Sequence, residues 1–328
     1  KTMFNWLGVE RKIPTYQALR GWMQRIGLDR MQQVKTKTDW VWLVDESNQI
    51  GLDRFLTILA IEQSKLPSLG TPLRHEDMHV LAIQPSKNWN RDNVIKLYNR
   101  VAQQYGVPVA IVTDGAIELR EPAERLEKDG VTPRVIRDLK HFLANRFEHL
   151  LATDARYQDF MREINKIRSA IQQTELGHLI PPAMRQKSRF MNLQPLLNWS
   201  TMMLWQLANP NSDGRKGISD DRLQAKLGWL NNYKTDVELW TNYQAVISAT
   251  LTFMNANGLY HGVSDQLQTL LQELATQSAS KALVTTTVAF VREHEQMLKP
   301  GERLPMSTEV LESSYARIKA LEQQHARS

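Results

Sequence analysis

The sequence predicts a mixed α/β fold, in which a sheet carries helices on its faces. Three strand-like stretches follow one another over residues 40–83, and from residue 90 to residue 151 helix-like and strand-like stretches alternate. Three consecutive strands can form an antiparallel meander, whereas strands separated by helices tend to run parallel. Residues 152–300, rich in Gln, Leu, Met and Trp, predict an all-helical domain that interrupts this pattern.

The strands of the sheet are predicted from short apolar runs that end in turn-forming residues. Residues 40–45, 55–61 and 79–83 are the first three, and residues 109–113 and 134–137 are the fourth and fifth. The helices between and after them are predicted from apolar residues at helical spacing. They cover a stretch from Asn90 to Gly106, residues 116–128 and residues 139–151. Residues 282–291 fit a strand or a buried helix equally well.

The first helix is predicted over residues 13–33, where Thr15 can cap it after Pro14. Four large apolar residues fall on one face of this helix: Leu19, Trp22, Met23 and Ile26. The pattern favours a small helix that packs on the rest of the chain. The alternative is part of a helix-turn-helix that meets DNA, with half of the motif upstream of Lys1.

The composition is that of a globular protein without disulfides. The chain has 328 residues, of which 42% are hydrophobic and 23% charged, and it contains no cysteine and no apolar run long enough to span a membrane. Any metal must therefore be held by oxygen ligands or histidines, which favours hard ions such as magnesium. A net charge of +6 is compatible with a polyanionic partner. We expect a partial chain, because structured-looking sequence begins at Lys1.

Two aspartates stand at the ends of predicted strands. Asp45 ends the first strand, and Asp114 follows the fourth within the stretch Val-Ala-Ile-Val-Thr-Asp-Gly. Either residue alone is more simply a turn residue. If the two strands are neighbours, however, the carboxylates face each other and need cations between them, and two divalent ions would clamp a phosphodiester there. The last predicted helix offers Glu312, or Glu309 one turn earlier, as a third acid.

The ordered set of motifs resembles the RNase H-like core of DDE transposases. Residues 138–141, Asp-Leu-Lys-His, resemble the Asp/Cys-x-x-His motif of hAT- and Mutator-like transposases and related bacterial insertion-sequence enzymes. Residues 312–319, Glu-Ser-Ser-Tyr-Ala-Arg-Ile-Lys, are similar to the Glu-Ser…Lys helix of bacterial DDE transposases. In these families a helical insertion precedes the glutamate helix, as residues 152–300 would here.

The resemblance implies a site and a reaction. Asp45, Asp114 and Glu312 would bind two Mg²⁺ or Mn²⁺ ions, and Asp138 and His141 would organise the site. An equally good interpretation of Asp138 and His141 is a structural hydrogen bond between them at the start of a helix. The reaction implied is cleavage of DNA at the element ends and joining of the 3′-ends to target DNA. The protein would act as a homodimer bound to double-stranded DNA, in the bacterial cytoplasm. Two alternatives stay open: an RNase H-like nuclease without strand transfer, and an inactive, domesticated DNA-binding protein.

The resemblance also implies domain boundaries and DNA contacts. Residues 1–35 would be an N-terminal helical segment, 36–151 the catalytic core, 152–300 the helical insertion and 301–328 the helix that completes the core. The candidate DNA-binding cations are Arg185, Lys187, Arg189, Arg317 and Lys319. Four tryptophans of the insertion are expected mostly in the core, although one could stack on a flipped base: Trp199, Trp205, Trp229 and Trp240.

Overall fold

A five-stranded mixed sheet is the centre of the structure, a computed structural model that describes residues 15–46, 53–127, 130–183, 193–210, 217–313 and 315. Its strands lie in the order β3-β2-β1-β4-β5. They are β1 (Trp40–Glu46), β2 (Arg54–Glu62), β3 (His79–Ser86), β4 (Ala110–Thr113) and β5 (Arg134–Arg137). Each overlaps a stretch that the sequence predicts to be a strand.

The orientation of the strands divides the sheet into two parts. β2 is antiparallel to both β1 and β3, so the first three strands form a meander. β4 lies parallel to β1, and β5 lies parallel to β4. Helices α2 (Arg91–Tyr105) and α3 (Ile117–Glu124) connect these parallel strands. This order and orientation are those of an RNase H-like sheet, so the predicted fold class is confirmed.

The two faces of the sheet pack against different helices. One face buries Trp40, Trp42 and Val44 against α2 and α3, where Asn90 caps α2 by accepting the backbone N–H of Asn93. The opposite face buries Val41 and Leu43 in a core shared with the remaining helices. Because side chains alternate along a strand, Asp45 continues the Val41 and Leu43 side of β1.

The described residues after β5 are mostly helical. Helix α4 (Leu139–Ala152) packs on the face of the sheet that carries Val41 and Leu43. The helices within residues 152–300 are α5 (Ala155–Ile171), α6 (Gln194–Ala208), α7 (Asp220–Leu227), α8 (Lys234–Asn257), α9 (Val263–Leu274) and α10 (Ser278–Glu295). The ambiguous residues 282–291 lie within α10. The insertion is not entirely helical, since β6 (Leu259–Tyr260) pairs with β7 (Arg303–Leu304) beyond it. That pairing joins the insertion to the chain segment returning to the core.

Helix α1 (Tyr16–Gln32) does not pack as its apolar spacing predicts. Thr15 caps the helix as expected, by accepting the backbone N–H of Ala18. No residue of the helix is buried, and Met23 on the apolar face is 74% exposed. The helical period correctly predicts the element, but burial needs a partner surface, and the part of the chain that the structure describes provides none for this face.

Candidate active site: carboxylates at the ends of two parallel strands

Asp45 and Asp114 lie at equivalent positions on neighbouring strands. The parallel register of β1 and β4 pairs Val44 with Thr113, and each aspartate is the next residue of its chain. Neighbouring strands are about 4.8 Å apart, so these two residues meet at one edge of the sheet. The adjacency on which the sequence argument depended is therefore present.

The turn after β4 positions the Asp114 carboxylate. Its Oδ1 accepts the backbone N–H of Ala116 at 2.8 Å, and Gly115 between them has a positive φ of 83°. A glycine adopts this left-handed conformation without strain, which lets the chain leave the strand sharply and begin α3. Asp114 is thus both a turn residue and a carboxylate at the edge of the sheet. Its Oδ1 makes the hydrogen bond of the turn, and its Oδ2 does not take part in that hydrogen bond.

The Asp45 carboxyl lies in a buried and negatively charged environment. Burial is the largest cause that raises its pKa to about 7; His141 lowers the pKa, and Asp114, Glu312 and Asp138 raise it. The same groups that the sequence selects are thus close enough to act on Asp45 electrostatically. When burial and like charges raise the pKa of a carboxyl in this way, its surroundings favour the binding of a cation.

The C-terminal helical segment, described over residues 309–313 and at Tyr315, brings Glu312 to this edge. Tyr315 donates its hydroxyl to the backbone oxygen of Asp45 at 3.1 Å, which ties the segment to β1. Glu312 Oε1 lies 3.8 Å from His141 Nε2, and Glu312 Oε2 accepts Lys140 Nζ at 2.6 Å. The third acid therefore lies against the first turn of α4.

Glu309 shares Lys140 with Glu312 but otherwise has different neighbours. Its carboxylate accepts the side-chain amide of Asn255, at the end of α8, and lies 3.6 Å from Lys140 Nζ. It also lines a cavity of about 220 Å³ that Asp45 and Asp114 do not line. Glu312 is among the charges that raise the pKa of Asp45. The geometry favours Glu312 as the third acid.

Asp138 is a buried organiser rather than a ligand in this arrangement. One carboxylate oxygen caps α4 by accepting the backbone N–H of His141 at 3.0 Å. The other accepts both the backbone N–H and the hydroxyl of Thr308, immediately before the Glu312 segment. Both oxygens of Asp138 are thus occupied. The cap at the helix start is one of the two roles that the sequence allowed for residues 138–141.

Three residues of this neighbourhood have roles that the sequence argument missed: Lys140, Thr308 and Tyr315. Lys140 lies inside the Asp-x-x-His motif. Its position there could have suggested that it forms an ion pair with a third acid. The Ser307 hydroxyl accepts the backbone N–H of Glu309 at 3.2 Å, while the Thr308 hydroxyl donates to Asp138. No local pattern indicates the contact between Tyr315 and β1.

The donor set fits hard divalent cations, although the side chains are not arranged around one. Three carboxylates, one of them a buried aspartate with a raised pKa, supply the oxygen ligands that Mg²⁺ and Mn²⁺ prefer. Across the described ranges, no group of three or more His, Asp or Glu side chains has the geometry of a formed metal site. Lys140 holds the Glu312 carboxylate, so a metal would require that contact to open.

Several predicted DNA contacts lie outside the described residues: Arg185, Lys187, Arg189, Arg317 and Lys319. Of the four tryptophans, Trp199 and Trp240 are buried and Trp229 is half-buried, which agrees with a core role. Trp205 is different, with 57% of its surface exposed on α6.

None of the helices in the described part is long and apolar enough to cross a lipid bilayer.

Comparison with known proteins finds likeness in structure but not in sequence. No protein-family model matches this chain, and no curated protein matches it in sequence. The structure is similar to that of the Drosophila P element transposase strand transfer complex, at 9% identity and a TM-score of 0.41. The likeness covers 93% of this chain and 79% of that one. The geometry of the site, rather than this likeness, supports a functional assignment.

Proposed function

We propose that this chain is a metal-dependent DDE transposase that cuts DNA at element ends and joins the 3′-ends to target DNA. The observation that supports the proposal is the adjacency of Asp45 and Asp114 at one edge of an RNase H-like sheet, where the charge of Glu312 acts on Asp45. Asp45 and Asp114 come from adjacent parallel strands, and Glu312 reaches them after a helical insertion. DNA ends and target DNA are the substrates, and a homodimer would hold two ends together.

The three carboxylates are suited to hold two Mg²⁺ or Mn²⁺ ions. Side chains from strands about 4.8 Å apart can share ions separated by about 3.5–4 Å. When bound, such ions activate the attacking oxygen and stabilise the charge on the leaving oxygen. The protein side chains position these ions: Asp45 and Asp114 from the rigid sheet edge, and Glu312 from a segment anchored by Asp138 and Tyr315.

The test compares carboxylate variants in one assay. The purified chain is incubated with MgCl₂, a supercoiled plasmid as target and duplexes that carry the chromosomal sequence flanking its gene. Cleavage and joining are then read on a gel. Asp45→Asn, Asp114→Asn and Glu312→Gln should each lower the rate by at least about 100-fold while DNA binding is retained. Glu309→Gln is the matched control, one helical turn away, and should keep most of the activity.

Each alternative has its own result. Magnesium-dependent cleavage without joined products indicates a nuclease that lacks strand transfer. Binding without either reaction indicates a non-catalytic DNA-binding protein. An Asp114→Asn variant with wild-type cleavage would show that the assigned carboxylates are not the catalytic ones.

A further inference from the structure

Arg137 places a positive charge at the same sheet edge as the two aspartates. It is the last residue of β5, and the parallel register pairs it with Thr113, the residue before Asp114. Along this edge the order is therefore Asp45, Asp114 and Arg137, each from the end of one of three adjacent parallel strands. Arg137 is level with Val44 and Thr113, one residue before the two aspartates along the strand direction.

The Arg137 side chain is held between a glycine turn and an aromatic pair. A Cβ built on Gly115 would lie 3.1 Å from Arg137 Nε and 3.8 Å from its Cγ, so the glycine leaves the room that the side chain occupies. The guanidinium carbon lies 5.3 Å from the ring centre of Phe290 on α10. Phe290 in turn stacks on Phe142 of α4 at 3.8 Å. These contacts orient the guanidinium before any ligand arrives.

One donor of Arg137, its Nε, is not used for hydrogen bonding within the described residues. This atom is inaccessible to solvent and has no hydrogen-bond partner there. Arg134 on the same strand is different, because its guanidinium is paired with Glu302. An unsatisfied buried donor costs about 1–3 kcal/mol, so an oriented arginine with a free donor indicates an acceptor that is not among the described residues.

We propose that Arg137 binds a backbone phosphate of the DNA strand that lies over Asp45 and Asp114. This deepens the proposed function and rests on it for the identity of the ligand. The planar guanidinium suits a phosphate, which it can bind with two parallel hydrogen bonds. A phosphate approaching this edge meets the negative charges of Asp45, Asp114 and Glu312, and Lys140 is already engaged by Glu312. Arg137 supplies the attraction that brings a polyanion to an acidic site.

The proposal is tested by DNA binding without divalent metal, so that catalysis does not enter. The probe is the duplex from one flank of the gene, and binding is measured over a range of salt concentrations. Arg137→Gln should lower the affinity several-fold and reduce the slope of log K against log salt by about 0.9, the value for one phosphate contact. Arg125→Gln, the same change at an exposed site near the end of α3, should keep the wild-type slope.

A second measurement identifies the contact itself. Phosphates of the probe are replaced one at a time by neutral methylphosphonates. One such replacement should weaken binding of the wild type and leave binding of Arg137→Gln unchanged. Arg137→Lys, which keeps the charge and the apolar stem, should keep most of the salt slope and lose affinity at that same position, because an ammonium cannot make the paired contact.

The outcomes separate this proposal from the proposed function. An Arg137→Gln variant with the wild-type slope and the wild-type methylphosphonate profile overturns the assignment of Arg137, as does a wild type that does not bind the duplex. If Arg137→Gln fails to fold, judged by circular dichroism, Arg137→Lys decides: an unchanged profile overturns the assignment. Retained cleavage in Asp114→Asn contradicts the catalytic proposal but leaves the Arg137 binding result standing.

Discussion

Thr308 donates two hydrogen bonds to a single oxygen of Asp138, from its backbone N–H at 2.6 Å and from its hydroxyl at 2.5 Å. The two residues are both buried and lie 170 positions apart in the chain. The other oxygen of Asp138 caps α4. One carboxylate therefore joins the start of α4 to the start of the segment that carries Glu312, so that Asp138 helps to position Glu312.

Thr308→Val should destabilise the fold and weaken metal binding together. The substitution keeps the shape but removes the hydroxyl donor from a buried carboxylate, which costs about 1–3 kcal/mol in the free energy of unfolding. The Glu312 segment would also be less firmly held. Urea denaturation measures the first effect, and calorimetric titration with Mn²⁺ measures the second.

Thr285→Val is the matched control for this substitution. The Thr285 hydroxyl donates to the backbone oxygen of Lys281 on the exposed side of α10. Its removal should change the free energy of unfolding by less than about 0.5 kcal/mol and leave Mn²⁺ affinity unaltered. If Thr308→Val were as mild as this control, Asp138 would not be the anchor of the C-terminal segment.

Lys140→Met should increase the affinity of the protein for divalent cations. Lys140 Nζ lies 2.6 Å from Glu312 and is 21% exposed at its side chain, so it competes with a metal for this carboxylate. A partly exposed ion pair contributes up to about 1 kcal/mol, which corresponds to a gain of up to about fivefold in affinity. Calorimetric titration with Mn²⁺ measures the change.

Lys166→Met controls for the loss of one positive charge. Lys166 forms an ion pair with Glu163 at the same Nζ–Oε distance of 2.6 Å, but exposed on α5 within the insertion. This variant should bind Mn²⁺ as the wild type does. Weaker binding in Lys140→Met than in Lys166→Met would contradict competition between Lys140 and the metal.

Glu302→Gln should reduce stability at neutral pH but not in acid. Burial alone would raise the pKa of Glu302, but the Arg134 guanidinium, the backbone N–H of Lys299 and the Gln63 amide together lower it below its ordinary value of 4.5. A lowered pKa in the folded state contributes stability above pH 4.5 that is lost as the pH falls through the lowered value. We expect a loss of about 1–3 kcal/mol near pH 7, measured by urea denaturation at several pH values.

The difference between Glu302→Gln and the wild type should therefore shrink as the solution is acidified. Glu175→Gln removes an exposed partner of Arg222 and should have little effect at any pH. A constant difference from neutral to acidic pH would mean that the charge of Glu302 does not stabilise the fold.

Gly258→Ala should destabilise the pairing of β6 with β7. Gly258 has a φ of 70°, and an added Cβ would lie 2.6 Å from the backbone oxygen of Leu304. Gly70 has a similar φ of 85° but nothing within 4 Å of an added Cβ. Gly70→Ala thus measures the conformational cost alone, about 1–2 kcal/mol. Gly258→Ala should cost at least about 1 kcal/mol more by urea denaturation, and equal costs would mean that the contact with Leu304 relaxes freely.

The sequence by itself determined the strands and the residues at their ends. Apolar runs of four to nine residues ended by Asp45 and Asp114 are local patterns, and local patterns depend only on the period of the chain and on turn chemistry. The same holds for the predicted cap at Thr15, whose side chain accepts the backbone N–H of Ala18 three residues later.

Only the tertiary structure decided which of these residues meet. The neighbouring register of β1 and β4, the preference for Glu312 over Glu309, and the contacts of Lys140, Thr308 and Arg137 all join residues on different elements. The exposed apolar face of α1 is the opposite case, in which a correct helical period did not predict burial. Periodicity is a property of one segment, whereas burial, hydrogen bonding and charge pairing require a second segment that the local sequence does not specify.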